Sequence, residues 1–350
     1  MEYQCINGVC ISCLQLRPLR LLKRTCWSLC VTRTLNTQHN GRRVMATRCC
    51  KKLCYYLGFS GEPVHRFTLP QAKWPMAPVL WSIFRCFLAV YLIVWLGLIL
   101  TVWGDPPLYG GADNKAKWLI YVSNWSFLFL ILYTLTMAVG NVYYHATRGC
   151  KNARVGTDVD PESGSGYDRG IPMSSVDSPR GTPSSGSDSG EPLEPLPWYF
   201  KMAWFLQTIA FTAALFVALL FYILVFNPAE DVLHVYNFHV HGVNLIIVVL
   251  DIILSATPMR VLHLIYPSSY AFVYFMFTLI YEGAGGLNEK GGTAIYPNNL
   301  DWDAAPGRTG IVMALTVVVA APLLHLLFYG IYRIRHAISK CCTGGCWTYQ

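Results

Sequence analysis

Six long apolar runs separated by polar stretches set the pattern of this chain, at residues 79–103, 118–142, 202–226, 238–256, 261–281 and 311–334. Each is close to the ~20 residues that an α-helix needs to cross about 30 Å of hydrocarbon. The pattern therefore predicts an all-α polytopic membrane protein, a six-helix transmembrane bundle. The fourth run is the weakest: its uninterrupted core is Leu245 to Leu250, and Asp251 follows directly. A re-entrant hairpin made from the fourth and fifth runs is the alternative reading there.

The polar stretches orient the bundle. Arg148, Lys151, Arg154, Arg260, Arg333, Arg335 and Lys340 fall on one side of the alternating spans. Asp105, Asp113, Glu230, Asp231, Glu282, Glu289, Asp301 and Asp303 fall on the other. Residues 1–77 hold twelve Lys/Arg against two acids, Glu2 and Glu62. By the positive-inside rule both termini are expected in the cytosol. Trp103, Trp118, Trp198, Tyr199 and Tyr281 stand at span ends, where an interfacial aromatic belt would lie.

This divides the chain into a basic, Cys-rich N-terminal segment (1–77, with 1–44 of uncertain status as an extension), spans one and two (78–143), a cytosolic loop (144–197), spans three to six (198–335) and a tail (336–350). From 157 to 197 the loop is mostly Ser, Gly, Pro and Asp, a composition that cannot bury a core and predicts disorder. Ser178-Pro179 and Thr182-Pro183 are candidate phosphorylation positions, with a plain solvated linker as the alternative.

Composition narrows the function classes. Of 350 residues, 54% are hydrophobic and 13% charged, about half the charge of an ordinary soluble domain. The net charge of +8 does not point to nucleic acid, because the basic residues flank membrane-length runs. Of the 13 Cys, eight lie before residue 78 and three at the end of the chain, on its predicted cytosolic side. They read as reduced thiols rather than disulfides. Cys49, Cys50, Cys54, Cys341 and Cys342 lie beside basic residues within reach of a membrane surface, as S-acylation (palmitoylation) requires. No zinc-ribbon pairing, phosphate loop, HExxH or GxSxG pattern is present, and neither a metal nor a cofactor is expected.

Ionisable and polar groups at membrane depth carry the candidate chemistry. Arg85 lies two turns into the first span and is expected to snorkel. Asp251 and Arg260 are expected to pair near the inner face. His263 and His325 read as structural. Ser123 and Asn124 lie in the second span and His241 in the fourth, at comparable depth if both spans start on the outer side. Asn244 shares a helix face with His241 at i+3. An imidazole beside a hydroxyl is the minimum for nucleophilic acyl transfer. The plain alternative is an interhelical hydrogen bond.

The second half carries an ordered series: His241-Gly242-Val243-Asn244, Asp251, Pro258-Met259-Arg260, His263-Leu264-Ile265-Tyr266-Pro267, Tyr274 to Phe277, Gly285-Gly286-Leu287-Asn288, Ile295-Tyr296-Pro297 and Leu300-Asp301-Trp302. This series resembles the rolling stone family of multipass membrane proteins over roughly residues 50–338. The resemblance implies a plasma-membrane or endomembrane protein with a role in cell–cell (myoblast) fusion or membrane organisation, and no defined biochemistry.

A more distant likeness is to the androgen-induced-gene family, six-span hydrolases of fatty acid esters of hydroxy fatty acids. Their His region is similar to Asn237-Phe238-His239-Val240-His241, and a later stretch is similar to Tyr296-Pro297…Leu300-Asp301. That likeness implies His241 as catalytic base and a fatty-acid ester lipid as substrate. Ser123 or Tyr121 stands where that family has its Thr nucleophile. The candidate site is therefore His241 and Ser123, with Asn124 or Asn244 as orienting groups. The lipid bilayer is the expected partner, with fatty-acid ester lipids added on the hydrolase reading.

Overall fold

The computed structural model describes residues 53–71, 77–102, 112–155, 195–226, 234–297 and 300–343. The chain divides into two compact units, Met1–Gly58 and Phe59–Gln350. Of the first unit, residues 53–58 are described, with helix over 53–57. The expected acylation sites Cys49 and Cys50, the side chains of Cys341 and Cys342, and the Ser/Gly/Pro stretch with its two Ser/Thr-Pro positions lie outside the described residues. Cys54 is a free, exposed thiol.

The second unit is all-helical among its described residues, and six helices are long and apolar enough to cross a membrane. Helix α1 is Ala77–Val102. A 3-10 segment, Ala112–Ile120, leads into α2, Val122–Val155. Helix α3 is Trp198–Leu220, continued by a π-helical segment, Phe221–Val225. Helix α4 joins Val235–Asn237, a π-helical segment Phe238–Val243 and Asn244–Leu254. Helix α5 joins the 3-10 turn Val261–Leu264 to Ile265–Gly283. Helix α6 joins Pro306–Leu315, a π-helical segment Thr316–Ala320 and Ala321–Thr343. The fourth run thus gives a helix of spanning length, with the widened turn replacing regular α geometry at His241.

Local sequence accounts for the starts and stops. Pro197 precedes α3, and Pro306 opens α6 where its missing N–H costs nothing. After α5 the chain reverses through Gly285, whose φ of 80° an L side chain rarely adopts. Helix α2 continues past residue 143 to Val155, through a stretch holding Ala146, Arg148, Lys151, Ala153 and Arg154, all good helix formers.

Helix α3 is the centre of the bundle: 61% of its span is buried, against 22% for α5 and α6. Its small residues Ala203, Ala210, Ala213, Ala214 and Ala218 are buried and admit the neighbouring helices closely. A Cβ on Gly140 of α2 would stand 2.9 Å from the Tyr199 ring of α3, so this crossing needs the glycine. Helix α1 shows the two-sided logic of a peripheral span. Ile83, Phe87, Val90 and Val94 are exposed along one stripe, as lipid-facing positions are, while Trp81, Arg85, Leu88 and Leu92 are buried along the other.

One end of the unit carries the 255–260 turn, and the other carries the 284–305 loop; these are called here the turn end and the loop end. At the turn end, residues 59–71 fold back onto the bundle. Phe67 of the short helix His65–Thr68 packs on Phe200 and Trp204. Gln71 N donates to Leu254 O at 2.8 Å.

Two sequence expectations are corrected here. Arg85 does not snorkel. It sits on the buried stripe of α1 with its side chain fully buried, and its guanidinium grips Asp251 of α4 through Nη1–Oδ2 (2.6 Å) and Nη2–Oδ1 (2.9 Å). Tyr133 of α2 donates to Asp251 Oδ2 at 2.7 Å, and Trp81 lies under the guanidinium at 4.4 Å. Asp251 accordingly does not pair with Arg260. Arg260 donates to Ser60 O (2.7 Å) and Glu62 Oε1 (3.2 Å) and lies over Trp204 at 4.7 Å. Helix rotation explains both: in a low-dielectric interior a buried fork finds the one carboxylate facing it, because an unpaired charge there is far costlier.

Candidate functional site

The loop half of the bundle encloses a cavity of about 880 Å³. It is lined from α2 (Tyr121 to Asn124), α3 (Thr212 to Phe221), α4 (Tyr236 to His241), α5 (Pro267 to Phe275), the 284–305 loop and α6 (Val312 to Ala321). All three π-helical segments found among the described residues contribute to this wall, through Phe221, His241 and Thr316 among others. A π-turn widens the helix and redirects the side chains that follow, and such turns recur at functional sites.

Three of the four sequence-predicted residues line this cavity: Ser123, Asn124 and His241. The fourth, Asn244, is buried below His241 with its Nδ2 donating to Val240 O at 2.7 Å, and it is not part of the lining. Asn124 Nδ2 donates to Trp118 O at 2.6 Å, which fixes the tight approach of the 3-10 segment to α2. The His241 ring lies face-on against Phe221, with centroids 3.9 Å apart and planes 5° apart. Its Nδ1 is buried and meets no hydrogen-bond partner. No hydrogen bond joins Ser123 to His241: the two share a chamber without touching. Gly242 lets the widened turn pass, since a Cβ there would meet the Tyr222 hydroxyl and the Phe238 ring at 2.9 Å.

His239 faces elsewhere. Its Nδ1–H donates to Val235 O at 2.8 Å, which leaves Nε2 to accept from the Tyr91 hydroxyl at 3.0 Å, and the ring stacks on Trp95. His325 Nε2–H donates to Arg260 O at 2.9 Å, a structural role as the sequence implied.

The sequence reading missed the tyrosines. Tyr296 accepts from Val122 N at 3.0 Å and lies 3.5 Å from the Tyr274 hydroxyl, which donates to Ile120 O at 2.8 Å. Burial pushes the Tyr296 phenol up to about 12, so it is a neutral hydroxyl at physiological pH. Tyr270 also lines the cavity, and its buried hydroxyl meets no hydrogen-bond partner. The loop is held over the chamber by Glu282, whose carboxylate accepts from Ile295 N (3.3 Å) and Trp302 N (2.9 Å), and by Lys117, which donates to Asn288 O at 2.9 Å. Nothing in residue spacing signals these contacts; they require α2, α5 and the loop to be assembled. Among the described residues no three His, Cys, Asp or Glu side chains converge as metal ligands would.

The family model described as "Protein rolling stone" matches residues 178–348. Protein rolling stone of Drosophila melanogaster is 23% identical over 286 residues, covering 81% of this chain and 88% of that protein. The chain is thus similar to the rolling stone family, in its second half by the family model and over most of its length by the Drosophila protein. No solved structure matches it. The stretch matched by the rolling stone model holds α3 to α6 and the loop, and therefore most of the cavity wall.

Proposed function

We propose that the chain acts as a rolling-stone-type integral membrane protein in cell–cell (myoblast) fusion or in organising the membrane it spans. The observation that carries this reading is the similarity to Protein rolling stone across 81% of the chain. The test is deletion of the gene in fusing cells and co-culture with wild-type partners. Fusion should fall and return with the re-expressed protein; normal fusion in the deleted cells removes the myogenic reading.

A second reading is favoured by the shared cavity: hydrolysis of a fatty-acid ester inside the membrane. His241 would take the proton of the Ser123 hydroxyl as Oγ attacks the ester carbonyl, and the alcohol would leave with that proton. Water would then cleave the acyl-serine, releasing the fatty acid and restoring the hydroxyl. The gap between the two groups must close when substrate binds, as it does in many unliganded sites. Purified protein, His241→Ala and Ser123→Ala are to be compared on a branched fatty-acid ester. Turnover lost in both variants supports the reading, and no turnover by folded wild-type protein removes it.

A further inference from the structure

We infer that the loop-end cavity is a binding site for a neutral, single-chain lipid whose headgroup carries an ester or hydroxyl, a monoacylglycerol-like amphiphile. This goes beyond the family reading and requires no ester cleavage. Three features of the chamber carry it.

The first is the layering of the wall. The polar groups collect near the loop end: Ser123 begins α2, His241 is about six residues or ~9 Å into α4, and Tyr296 belongs to the loop itself. Deeper in, the lining is mostly apolar, with Ala213, Phe216, Ala271, Val319 and Ala320 beside Thr212 and Thr316. A polar mouth above an apolar shaft, aligned with the membrane normal, matches an amphiphile lying as it lies in the bilayer leaflet.

The second is the charge of the wall. Among the lining residues the charged side chains are Glu289 and Lys290, adjacent in the loop and opposite in sign. A phosphate or carboxylate headgroup would need more cationic donors than this. Beside them, three neutral wall groups are buried without hydrogen bonds: Trp118 Nε1, His241 Nδ1 and the Tyr270 hydroxyl. Neutral hydrogen-bonding groups in the wall, with one cation among the lining side chains, suit a ligand with uncharged oxygens, because an unmet buried polar group is costly.

The third is access. The lower half of α6 packs on both α3 and α5, whereas its upper half packs chiefly on α5. Leu315 and Val319 line the cavity and are also exposed on the membrane face, 55% and 44%. A chain can therefore enter sideways from the bilayer between α3 and α6 without crossing water. The π-helical segment Thr316–Ala320 forms one post of that opening.

The test uses the full-length protein in maltoside micelles, with equilibrium binding of 1-monooleoylglycerol measured beside oleoyl lysophosphatidate and oleate. Wild type should bind monooleoylglycerol at least about tenfold more tightly than either anionic probe. Tyr270→Phe should weaken it about tenfold while leaving the anionic probes unchanged, as expected for one buried hydrogen bond lost. Val319→Trp, which fills the opening from an exposed position, should abolish binding of all three. No binding by monodisperse wild-type protein overturns the proposal. So does equal or tighter binding of lysophosphatidate, or unchanged binding in Val319→Trp. Ester cleavage is scored separately by product release, so binding without turnover removes the hydrolase reading and leaves this one standing.

Discussion

The Arg85–Asp251 cluster in the turn half and the chamber in the loop half surround their buried polar groups differently. Around Arg85 and Asp251 the donors and acceptors of three helices interlock, with Tyr133 completing the carboxylate's partners and Trp81 lying on the guanidinium. His241 and Tyr270 line a cavity instead, and the His241 Nδ1 and the Tyr270 hydroxyl make no hydrogen bond. The first arrangement leaves no room for a ligand and specifies how α1, α2 and α4 dock. The second leaves open volume between helices, the room a bound molecule needs.

The sharpest way to break this contrast is Asp251→Ala. It strands a fully buried guanidinium and should cost about 3–5 kcal/mol, seen as a large loss of thermal stability or of folded yield. Arg85→Met combined with Asp251→Leu should be more stable than either Asp251→Ala or Arg85→Ala alone, because no charge is then left unpaired. If the double variant is no better than the worse single variant, the pair is not acting as one unit.

A smaller effect is expected in the loop half from Tyr296→Phe. It removes the acceptor of Val122 N and should cost about 1 kcal/mol, read as a modest shift in the unfolding midpoint. An unchanged midpoint would mean that the loop is not fastened to α2 there. Smaller again is Glu62→Gln at the turn end. Glu62 holds Arg66 (2.6 Å) and Arg260 (3.2 Å), but these pairs are partly exposed, so about 1 kcal/mol or less is at stake, and it should shrink in high salt.

The smallest is a pH effect at His65. Burial, with the nearby Arg66 charge adding to it, holds this imidazole below its ordinary value of 6.5. The folded protein thus resists protonation more than the unfolded chain does. The contribution to stability is complete above pH 6.5 and declines as pH falls through the lowered folded value. His65→Gln should flatten the fall in unfolding temperature between neutral and mildly acidic pH, and an equal fall in both proteins would exclude His65 as its source.

The positions of the six spans were legible because hydrocarbon thickness and helix rise leave little freedom in length. That Ser123 and His241 could line one cavity was legible for the same reason, since the expected depth follows from counting along two helices. Rotation was not. The stripe Trp81, Arg85, Leu88, Leu92 is written in α1 at helical spacing, yet only its buried partners reveal that Arg85 faces inward to Asp251. The same limit hid Tyr270 and Tyr296, and it left Asn244 looking like a cavity residue when the helix turns it away.

By itself the amino-acid sequence determined the class of the protein, its six membrane-length helices and its likeness to the rolling stone family, because these depend on local apolar length and on ordered motifs. Tertiary structure alone decided which charge meets which, that hydroxyl and imidazole share a chamber without touching, and that three widened turns surround it. Such facts depend on the rotation and crossing of helices far apart in the chain, and no local pattern encodes them.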